Sequence, residues 1–333
     1  MIIYLTEQGT VLNKEGEQLI LKKDGNKIAT FLTKDLDQIV LMGNINLTTQ
    51  AIHFLLYNKI DTVYTSLNGK YYGRLVSELG KNIIMRKMQF QALFDDIYKF
   101  NISKDIVSTK VFNCRQLLRK FNYYHKLKEV SLILNKLTFM LEKIEKTVNM
   151  SELLGIEGTA ANTYFEAFDF LIKNPFFKFE KRSRRPPKNE VNAMLSFGYT
   201  LLANEVRTAV NIVGLDPYFG AYHAEEYGRP SLVLDIMEEF RSVVVDYVVI
   251  NAINKNNINK DDFVKGIDEE LPVKFTIFGR KKFISYIEKR LKKLFYLPEK
   301  ARKATLREII RYQAYQMGVA YMKKINYTGY KLI

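Results

Sequence analysis

One histidine and two acidic residues lie close together in the sequence, and their side chains are of the types that bind divalent metal ions. His223 is one of only three histidines in the 333-residue chain, and it lies in a segment rich in glycine, proline and tyrosine. Asp235 and Glu238 follow on the first turns of a predicted helix, where a spacing of three places them on one face. A neutral imidazole and carboxylates together suit Mn²⁺ or Mg²⁺. The segment therefore predicts metal-assisted chemistry.

Each candidate residue also has an interpretation that involves no metal. A lone histidine in an aromatic loop, such as His223, is typical of a hydrogen-bonded structural residue. Asp235 and Glu238 share their helix face with further polar residues, opposite an apolar face, and this periodicity alone favours a solvated stripe. Glu157 stands at the start of another predicted helix, before small residues that permit close backbone approach. An acid in the first turn of a helix is also stabilised by the helix dipole, so the residues alone leave these alternatives open.

The chain has a strong excess of positive charge, and most of that excess lies near its C-terminal end. The sequence contains 51 basic and 36 acidic residues, which give a net charge of +15. Residues 1–80 contain eight of each kind, whereas residues 274–333 contain sixteen basic and three acidic residues. A local excess of this size predicts contact with a polyanion, either nucleic acid or an anionic membrane surface.

Two basic clusters supply candidate DNA contacts. Residues 181–188 combine lysine and arginine with two prolines, and clustered arginines make multi-donor contacts to phosphate oxygens. Residues 280–311 interleave basic and aromatic residues and are predicted to form a basic helix. A solvated loop is the alternative for the first cluster, and a helix lying on a membrane for the second. The candidates are Arg182, Arg184, Arg185, Lys188, Lys289, Arg290, Lys292 and Lys293.

Several classes of protein are disfavoured by the sequence. It contains no P-loop, dinucleotide fingerprint, zinc-ligand spacing or nucleophile elbow, so ATP-driven and covalent serine chemistry have no support. No apolar run is as long as a membrane span, and the first residues do not resemble a signal peptide. The single cysteine, Cys114, excludes an internal disulfide and fits a reducing compartment. We therefore expect a cytoplasmic protein without a membrane partner.

The first 80 residues are predicted to form a small β-sandwich. Short runs rich in β-branched residues alternate there with turn signals. A short helix is predicted after Thr48, and the pair Asn68-Gly69 predicts the turn of a final hairpin. The predicted strands are 2–5, 18–21, 27–32, 38–41, 61–67 and 71–76.

The rest of the chain is predicted to be mainly helical. From about Lys81 the hydrophobic period changes from 2 to 3.6, which is typical of helices. Helices are predicted at 127–148, 158–170 and 190–213, with prolines in the loops between helices. The predicted fold class is therefore α+β, with a small N-terminal β-sandwich domain at 1–80 and a mainly α-helical domain at 81–333. Because the helical domain carries every candidate ligand and both basic clusters, we expect it to be the catalytic and DNA-binding domain.

Taken together, these segments resemble the CRISPR-associated integrase family, the DNA-acquisition endonucleases of prokaryotic adaptive immunity. The resemblance covers essentially the whole chain, and its specificity comes from the order and spacing of its motifs. Those motifs are 45–48 before a helix, Glu157-Gly, Arg182-x-Arg-Arg-Pro-Pro, 192–199, 214–232 and 235–240. The run 228–232 includes Arg229, a further candidate for DNA contact.

The resemblance implies a ligand set for the metal ion. In the family, a glutamate before a glycine, a histidine in a Pro-Tyr loop and an acid on the next helix bind Mn²⁺ or Mg²⁺. These positions match Glu157, His223 and Glu238. Asp235 matches a further acidic position, expected to be an auxiliary ligand or to support the others. Since some members have aspartate where this chain has Glu238, which of the two acids contacts the ion stays open. Tyr164 is expected to help position DNA.

The resemblance also implies a reaction and a set of partners. A 3′-hydroxyl at the end of a short DNA fragment attacks a phosphodiester of the CRISPR repeat and inserts the fragment as a new spacer, and water in its place gives nuclease activity. Family members form homodimers through their β-domains and flank a dimer of a small ferredoxin-like CRISPR partner protein on double-stranded DNA. Two alternatives stay open: a non-enzymatic nucleic-acid-binding scaffold and a general metal-dependent nuclease.

Overall fold

The computed structural model describes residues 1–76, 82–123, 126–183, 186–266 and 272–332. The chain forms two compact units, Met1–Lys81 and Asn82–Ile333. Strands dominate the first unit and helices the second, which confirms the predicted α+β class. Within the described ranges, every helix is too short or too polar to span a lipid bilayer.

Two four-stranded sheets build the N-terminal unit. Its elements are β1 (Ile2–Leu5), β2 (Thr10–Glu15), β3 (Gln18–Lys23), β4 (Asn26–Leu32), β5 (Gln38–Met42), β6 (Ile45–Leu47), α1 (Thr49–Tyr57), β7 (Asp61–Thr65) and β8 (Tyr71–Leu75). The first sheet has the order β1-β5-β7-β8, in which β8 alone is antiparallel to its neighbour. The second has the order β4-β3-β2-β6, in which the β2–β6 pair alone is parallel.

One hydrophobic core lies between these two sheets. Ile39 of the first sheet and Leu12 of the second are fully buried in the same cluster, and Leu55 of α1 joins them. The helix begins where the Thr48 side chain accepts the backbone N–H of Ala51 at 3.3 Å, an ordinary N-terminal cap. The predicted β-sandwich and the predicted helix after Thr48 are both present.

The second unit is mainly helical, with two short antiparallel strand pairs near its C-terminal end. The helices are α2 (Ile83–Leu93), α3 (Asp96–Asn122), α4 (Lys128–Lys146), α5 (Met150–Leu171), α6 (Glu190–Val213), α7 (Ser231–Phe240), α8 (Tyr247–Asn254), α9 (Ile277–Leu291) and α10 (Leu306–Lys323). The strand pairs are β9 (Phe263–Lys265) with β10 (Val273–Phe275), and β11 (Leu294–Leu297) with β12 (Arg302–Thr305).

Helix α7 lies in the interior of this unit. Helices α3, α6 and α10 pack against it, and Leu232, Val233 and Phe240 on it are each 0% exposed. The chain continues from α7 through a wider π-helical turn, Arg241–Asp246, which is also largely buried. A helix that is apolar on several faces must be enclosed, so any acid that it carries is buried as well.

The acids of α7 and the following turn are therefore not the solvated stripe that periodicity favours. Asp235, Glu238, Glu239 and Asp246 are all at most 4% exposed. Their spacing is that of a helix face, but neighbouring helices cover this face too. Buried carboxylates need hydrogen-bond donors or counter-ions, and each of these four has them.

The basic tract 280–311 is not one helix, contrary to the prediction. Helix α9 ends at Leu291, the β11–β12 pair follows, and α10 begins at Leu306. Pro298 cannot continue a helix, and Ala301 adopts a left-handed φ of 48°. The Thr305 side chain then caps α10 by accepting the N–H of Glu308 at 3.2 Å. Because basic residues occur throughout the tract, the charge pattern does not indicate where the helices end.

Candidate metal centre

Asp235 anchors the loop that precedes α7. Its Oδ2 accepts the backbone N–H groups of Ala221 and Tyr222 at 2.6 and 3.0 Å, and its Oδ1 accepts that of His223 at 2.9 Å. Gly220 permits this close approach, because a Cβ there would lie 2.5 Å from Asp235 Oδ2. These contacts fix the loop against the start of α7.

The same carboxylate orients the imidazole of His223. Nδ1 of His223 lies 2.8 Å from Asp235 Oδ1. In the tautomer that donates from Nδ1 to this carboxylate, the lone pair is on Nε2. Nε2 faces Glu238, whose Oε1 is 3.7 Å away. Metal-binding histidines are commonly supported in this way by a carboxylate on the other nitrogen. Asp235 thus holds the ring, while Glu238 faces its free nitrogen.

Glu157 lies within helix α5 and not at its start. Because α5 begins at Met150, Glu157 is outside the first turn, and the alternative based on the helix dipole does not apply. The small residue that follows, Gly158, is not in close contact with another segment of the described chain, since a Cβ added there meets nothing within 4 Å. The Glu157 side chain is instead 18% exposed and contacts helix α3.

Lys110 of α3 joins the two glutamates. Its ammonium donates to Glu157 Oε1 and lies 2.6 Å from Glu238 Oε2. Arg241 approaches the other oxygen of Glu238, with 2.9 Å between Nε and Oε1. Helices α3, α5 and α7 and the loop that carries His223 therefore meet in one charged cluster. The sequence pattern does not mark out Lys110 or Arg241, because each is a single basic residue within a helical segment.

The charges of this cluster stabilise one another. Burial by itself raises the pKa of Glu238, but Arg241 and then Lys110 outweigh burial and lower that pKa to about 2. Burial likewise lowers the pKa of Lys110, and Glu238 and Glu157 outweigh it, so that this pKa is raised. Glu238 is therefore a carboxylate and Lys110 an ammonium at neutral pH.

The chemical types of the donor atoms in the cluster suit a divalent ion, although an ammonium lies among them. Glu157, His223 and Glu238 offer two carboxylates and one imidazole nitrogen, a set suited to Mn²⁺ or Mg²⁺. No three histidine, cysteine, aspartate or glutamate side chains within the described residues are grouped closely enough to hold a metal. At this site the ammonium of Lys110 contacts both Glu157 and Glu238.

A cavity adjoins the cluster on the side of the π-helical turn. Lys110, Glu157 and Arg182 contribute to its lining. Deeper in its wall, Asp246 accepts the hydroxyls of Tyr164 and Tyr199 at 2.8 and 2.6 Å. Tyr164, the residue expected to position DNA, lines the cavity but donates its hydroxyl to Asp246. The residues that line the cavity are Lys110, Val111, Cys114, Leu137, Glu157, Ala160, Ala161, Tyr164, Phe165, Arg182, Tyr199, Arg241 and Asp246.

Two of the predicted DNA-contacting arginines are largely held by the protein itself. Arg182 donates from Nη1 to Asn192 Oδ1 at 2.8 Å and from Nη2 to Ser196 Oγ at 3.1 Å. Arg290 is 4% exposed, and its Nε donates to the Val243 carbonyl at 2.9 Å. Arg290 is therefore an interior cation, set apart from the lysines beside it in the sequence.

The other predicted DNA contacts are at or near the surface. Lys188, Lys289, Lys292 and Lys293 are exposed. Arg229 pairs with Glu226 at 2.9 Å and is partly exposed. Arg184 and Arg185 lie outside the described residues.

Comparison with known proteins identifies the family. The family model described as CRISPR associated protein Cas1 matches residues 3–289. CRISPR-associated endonuclease Cas1 3 of Thermus thermophilus is 34% identical over 319 residues, which are 94% of this chain and 91% of that relative. The CRISPR-associated exonuclease Cas4/endonuclease Cas1 fusion of Geobacter sulfurreducens is 34% identical over 297 residues, 87% of this chain and 52% of the fusion.

A solved structure has the same fold over the whole chain. A chain of a Cas6-RT-Cas1–Cas2 complex superposes with a TM-score of 0.84 at 26% identity, covering 100% of this chain and 36% of that one. This chain thus spans about half the length of the fusion relative and about a third of that larger protein. The family-model match and the identity to the Thermus relative both extend over most of the sequence. The chain belongs to the CRISPR-associated Cas1 family.

Proposed function

We propose that this chain is a metal-dependent DNA integrase and endonuclease that acts in CRISPR adaptation. In the proposed reaction, a 3′-hydroxyl on a short DNA fragment attacks a phosphodiester of the CRISPR repeat, and attack by water gives cleavage. The observation that carries the proposal is the convergence of Glu157, His223 and Glu238 in a member of the Cas1 family. The names of the two curated relatives, both endonucleases, support the same activity.

Glu157, His223 and Glu238 are the residues that would hold Mn²⁺ or Mg²⁺. When bound, such an ion would polarise the phosphodiester and lower the pKa of the attacking hydroxyl. Asp235 keeps Nε2 of His223 directed at Glu238, and Arg241 holds one oxygen of Glu238 in place. The burial of Glu238 strengthens these charge interactions by excluding water.

Basic side chains outside the cluster would contact the phosphates of double-stranded DNA. Arg182 lines the cavity beside the cluster, and Asn192 and Ser196 already orient its side chain. It would therefore lose little side-chain conformational entropy on binding a phosphate. Contacts of this kind position DNA without reading its sequence. The proposed outer contacts are Lys188, Arg229, Lys289, Lys292 and Lys293, with Arg184 and Arg185 continuing the cluster of Arg182.

The proposed assembly contains two copies of this chain and a small ferredoxin-like CRISPR partner. The structural relative belongs to a complex that includes Cas2, and we extend this partnership to the present chain. Strand β4 is an edge strand of its sheet, and Ile28 and Leu32 on it are 47% and 64% exposed. Apolar side chains on a free strand edge are typical of a covered interface, so we propose that the Met1–Lys81 units form the dimer. The cytoplasm is the compartment that fits a DNA substrate.

A strand-transfer assay tests the proposed function. A labelled fragment with a free 3′-hydroxyl is incubated with a repeat-bearing plasmid, the protein and its small partner, in Mn²⁺ or in EDTA. We expect joining and cleavage in Mn²⁺ and neither in EDTA. His223→Ala and Glu157→Gln should each lower both rates by about a hundredfold or more, because each removes an ion ligand. Glu166→Gln is the matched control, since Glu166 is exposed on the same helix as Glu157.

The other outcomes of this assay correspond to different functions. Metal-dependent cleavage without joining would indicate a general nuclease. DNA binding without either reaction would indicate a non-enzymatic scaffold, and wild-type rates in His223→Ala would remove the metal assignment.

A further inference from the structure

Lys110 occupies the position between the two glutamates where a bound cation would be expected. Its ammonium contacts Oε1 of Glu157 and lies 2.6 Å from Oε2 of Glu238, and its side chain is 13% exposed. We propose that Lys110 is the resident cation of this site and leaves it when a divalent ion binds. The inference rests on the proposed function, since it takes Glu157 and Glu238 as ligands.

The ammonium and a divalent ion cannot share these oxygens. Mg²⁺ contacts carboxylate oxygens at about 2.0–2.1 Å, and Lys110 already contacts one oxygen of each glutamate. An ion bound to the same two oxygens would overlap the ammonium or lie only a few ångströms from it. Two cations at that separation in a buried site repel strongly. Lys110 must therefore move for Glu157 and Glu238 to close around an ion.

The cavity beside the cluster leaves space for that movement. Lys110 and Glu157 both contribute to its lining, as do Arg182 and Arg241. A lysine side chain has four rotatable carbon segments, so its ammonium can leave the glutamates while α3 stays in place.

Lys110 also explains how the acids remain buried when no ion is bound. Glu238 is 4% exposed and Glu157 18%, and a buried carboxylate that loses its counter-ion is strongly destabilising. Arg241 contacts Glu238 through Oε1, whereas Lys110 contacts both glutamates. Removal of Lys110 should therefore lower the stability of the folded protein in EDTA and favour the binding of a divalent ion.

Metal binding and thermal unfolding of the full chain test this inference. Lys110→Met should lower the unfolding midpoint in EDTA, and Mn²⁺ should then raise the midpoint of this variant by more than it raises that of the wild type. In calorimetric titration, the variant should bind Mn²⁺ about tenfold or more tightly than the wild type. Lys110→Gln, which keeps a polar side chain, should show the same directions. Lys104→Met is the matched control on α3, because Lys104 bonds the carbonyls of Glu145 and Thr147 and not the cluster. Its midpoint should shift equally in EDTA and in Mn²⁺.

Two results separate failure of this inference from failure of the proposed function. In the first, both Lys110 variants bind Mn²⁺ equally well or more weakly than the wild type, while Glu157→Gln still lowers the affinity. This result would support the metal site and contradict the proposal that a divalent ion displaces Lys110. Mn²⁺ binding that Glu157→Gln does not change, in the wild-type and Lys110→Met backgrounds alike, would overturn the metal site itself.

Discussion

Asp235 and Glu238 lie one turn apart on α7, but their surroundings suit them to different tasks. Both oxygens of Asp235 accept backbone N–H groups of the preceding loop. The oxygens of Glu238 contact the side-chain cations Lys110 and Arg241. Side-chain cations can be exchanged for a metal ion without unfolding a loop, whereas backbone donors cannot. We therefore propose Glu238 as the metal ligand and Asp235 as the residue that supports His223.

Asp246, in the wall of the adjoining cavity, gives a pH-dependent prediction. Burial raises its pKa from 3.8 to about 6, in spite of hydrogen bonds from Tyr199 and Tyr164. Because the folded state holds this proton more tightly than the unfolded chain, the stabilising contribution is complete below about pH 4 and is lost as the pH rises through about 6. Asp246→Asn removes this titration and keeps a side chain that can bond both tyrosines.

Urea unfolding across the same range measures the effect. The free energy of unfolding of the wild type, relative to Asp246→Asn, should fall by about 2–3 kcal/mol between about pH 4 and pH 7. A difference that stays constant over this range would show that Asp246 titrates as an ordinary exposed aspartate does.

Individual site residues were predictable only in part. The resemblance to a family points to Glu157, His223 and Glu238, because their neighbours in sequence form motifs. The spacing of Asp235 and Glu238 cannot separate their roles, since the difference depends on which acid faces the folded loop. Lys110 contacts Glu157 and Glu238 from another helix, and a lysine within a long helix carries no local signal of such a contact.

Two glycines within long helices allow a matched test of helix packing. A Cβ at Gly198 of α6 would lie 2.5 Å from Val245 Cγ1 in the π-helical turn, whereas a Cβ at Gly158 of α5 meets nothing within 4 Å. Gly198→Ala should therefore cost about 1–3 kcal/mol of stability through overpacking. Gly158→Ala should instead stabilise the protein by up to about 1 kcal/mol, since alanine is the better helix former. Equal stabilities in urea unfolding would mean that α6 does not approach the turn so closely.

The exposed lysines at the end of α9 give a prediction about DNA binding. Replacing Lys289, Lys292 and Lys293 with glutamine should weaken binding to duplexes of any sequence. The slope of log affinity against log salt should fall by about 0.9 for each phosphate that the variant no longer neutralises, as measured by fluorescence anisotropy at several salt concentrations.

The matched control replaces three exposed lysines of α4, Lys136, Lys143 and Lys146, and should leave the slope unchanged. If the α9 variant also keeps the wild-type slope, this surface does not face DNA. The electrostatic contact would then belong to residues 181–188.

Elements with local signals were predictable, and those that depend on distant contacts were not. The turns at Asp24-Gly25 and Asn68-Gly69 follow from residues that accept a left-handed backbone, and Asp24, Gly25 and Gly69 have φ values of 50°, 81° and 81°. Strand β2 has few apolar residues; it pairs along its whole length with the adjacent β3 and also with β6, more than thirty positions away. The β11–β12 pair interrupts a tract whose charge pattern is continuous, so no local period marks it.

At the scale of the whole molecule, the two units differ in charge and in the residues that they carry. Residues 1–80 are neutral, the basic excess lies in the remainder, and the charged cluster is built within the unit Asn82–Ile333. The order of motifs along the entire chain was sufficient to predict the family. Fold and family were therefore predictable at this scale, whereas the ammonium inside the charged cluster was not.

The proposed dimer through strand β4 predicts a separation of two activities. Ile28→Lys combined with Leu32→Lys should give a monomer by light scattering, because two charges replace the exposed apolar side chains of the edge. Integration requires attack at both repeat ends, so the variant should retain metal-dependent nicking and lose paired joining. Tyr72→Lys, a change at an exposed aromatic residue of the edge strand β8, should stay dimeric. A dimeric β4 variant would assign dimerisation to another surface.

The most direct test of the account is the location of a bound ion. Crystals of the full chain grown with Mn²⁺ would be measured for anomalous scattering at the manganese edge. We predict one strong peak, bonded to Nε2 of His223 and to oxygens of Glu157 and Glu238 at about 2.0–2.3 Å, with Asp235 still bonded to the loop and the Lys110 ammonium moved away. A peak elsewhere, or saturating Mn²⁺ with Lys110 still between the two glutamates, would contradict the account.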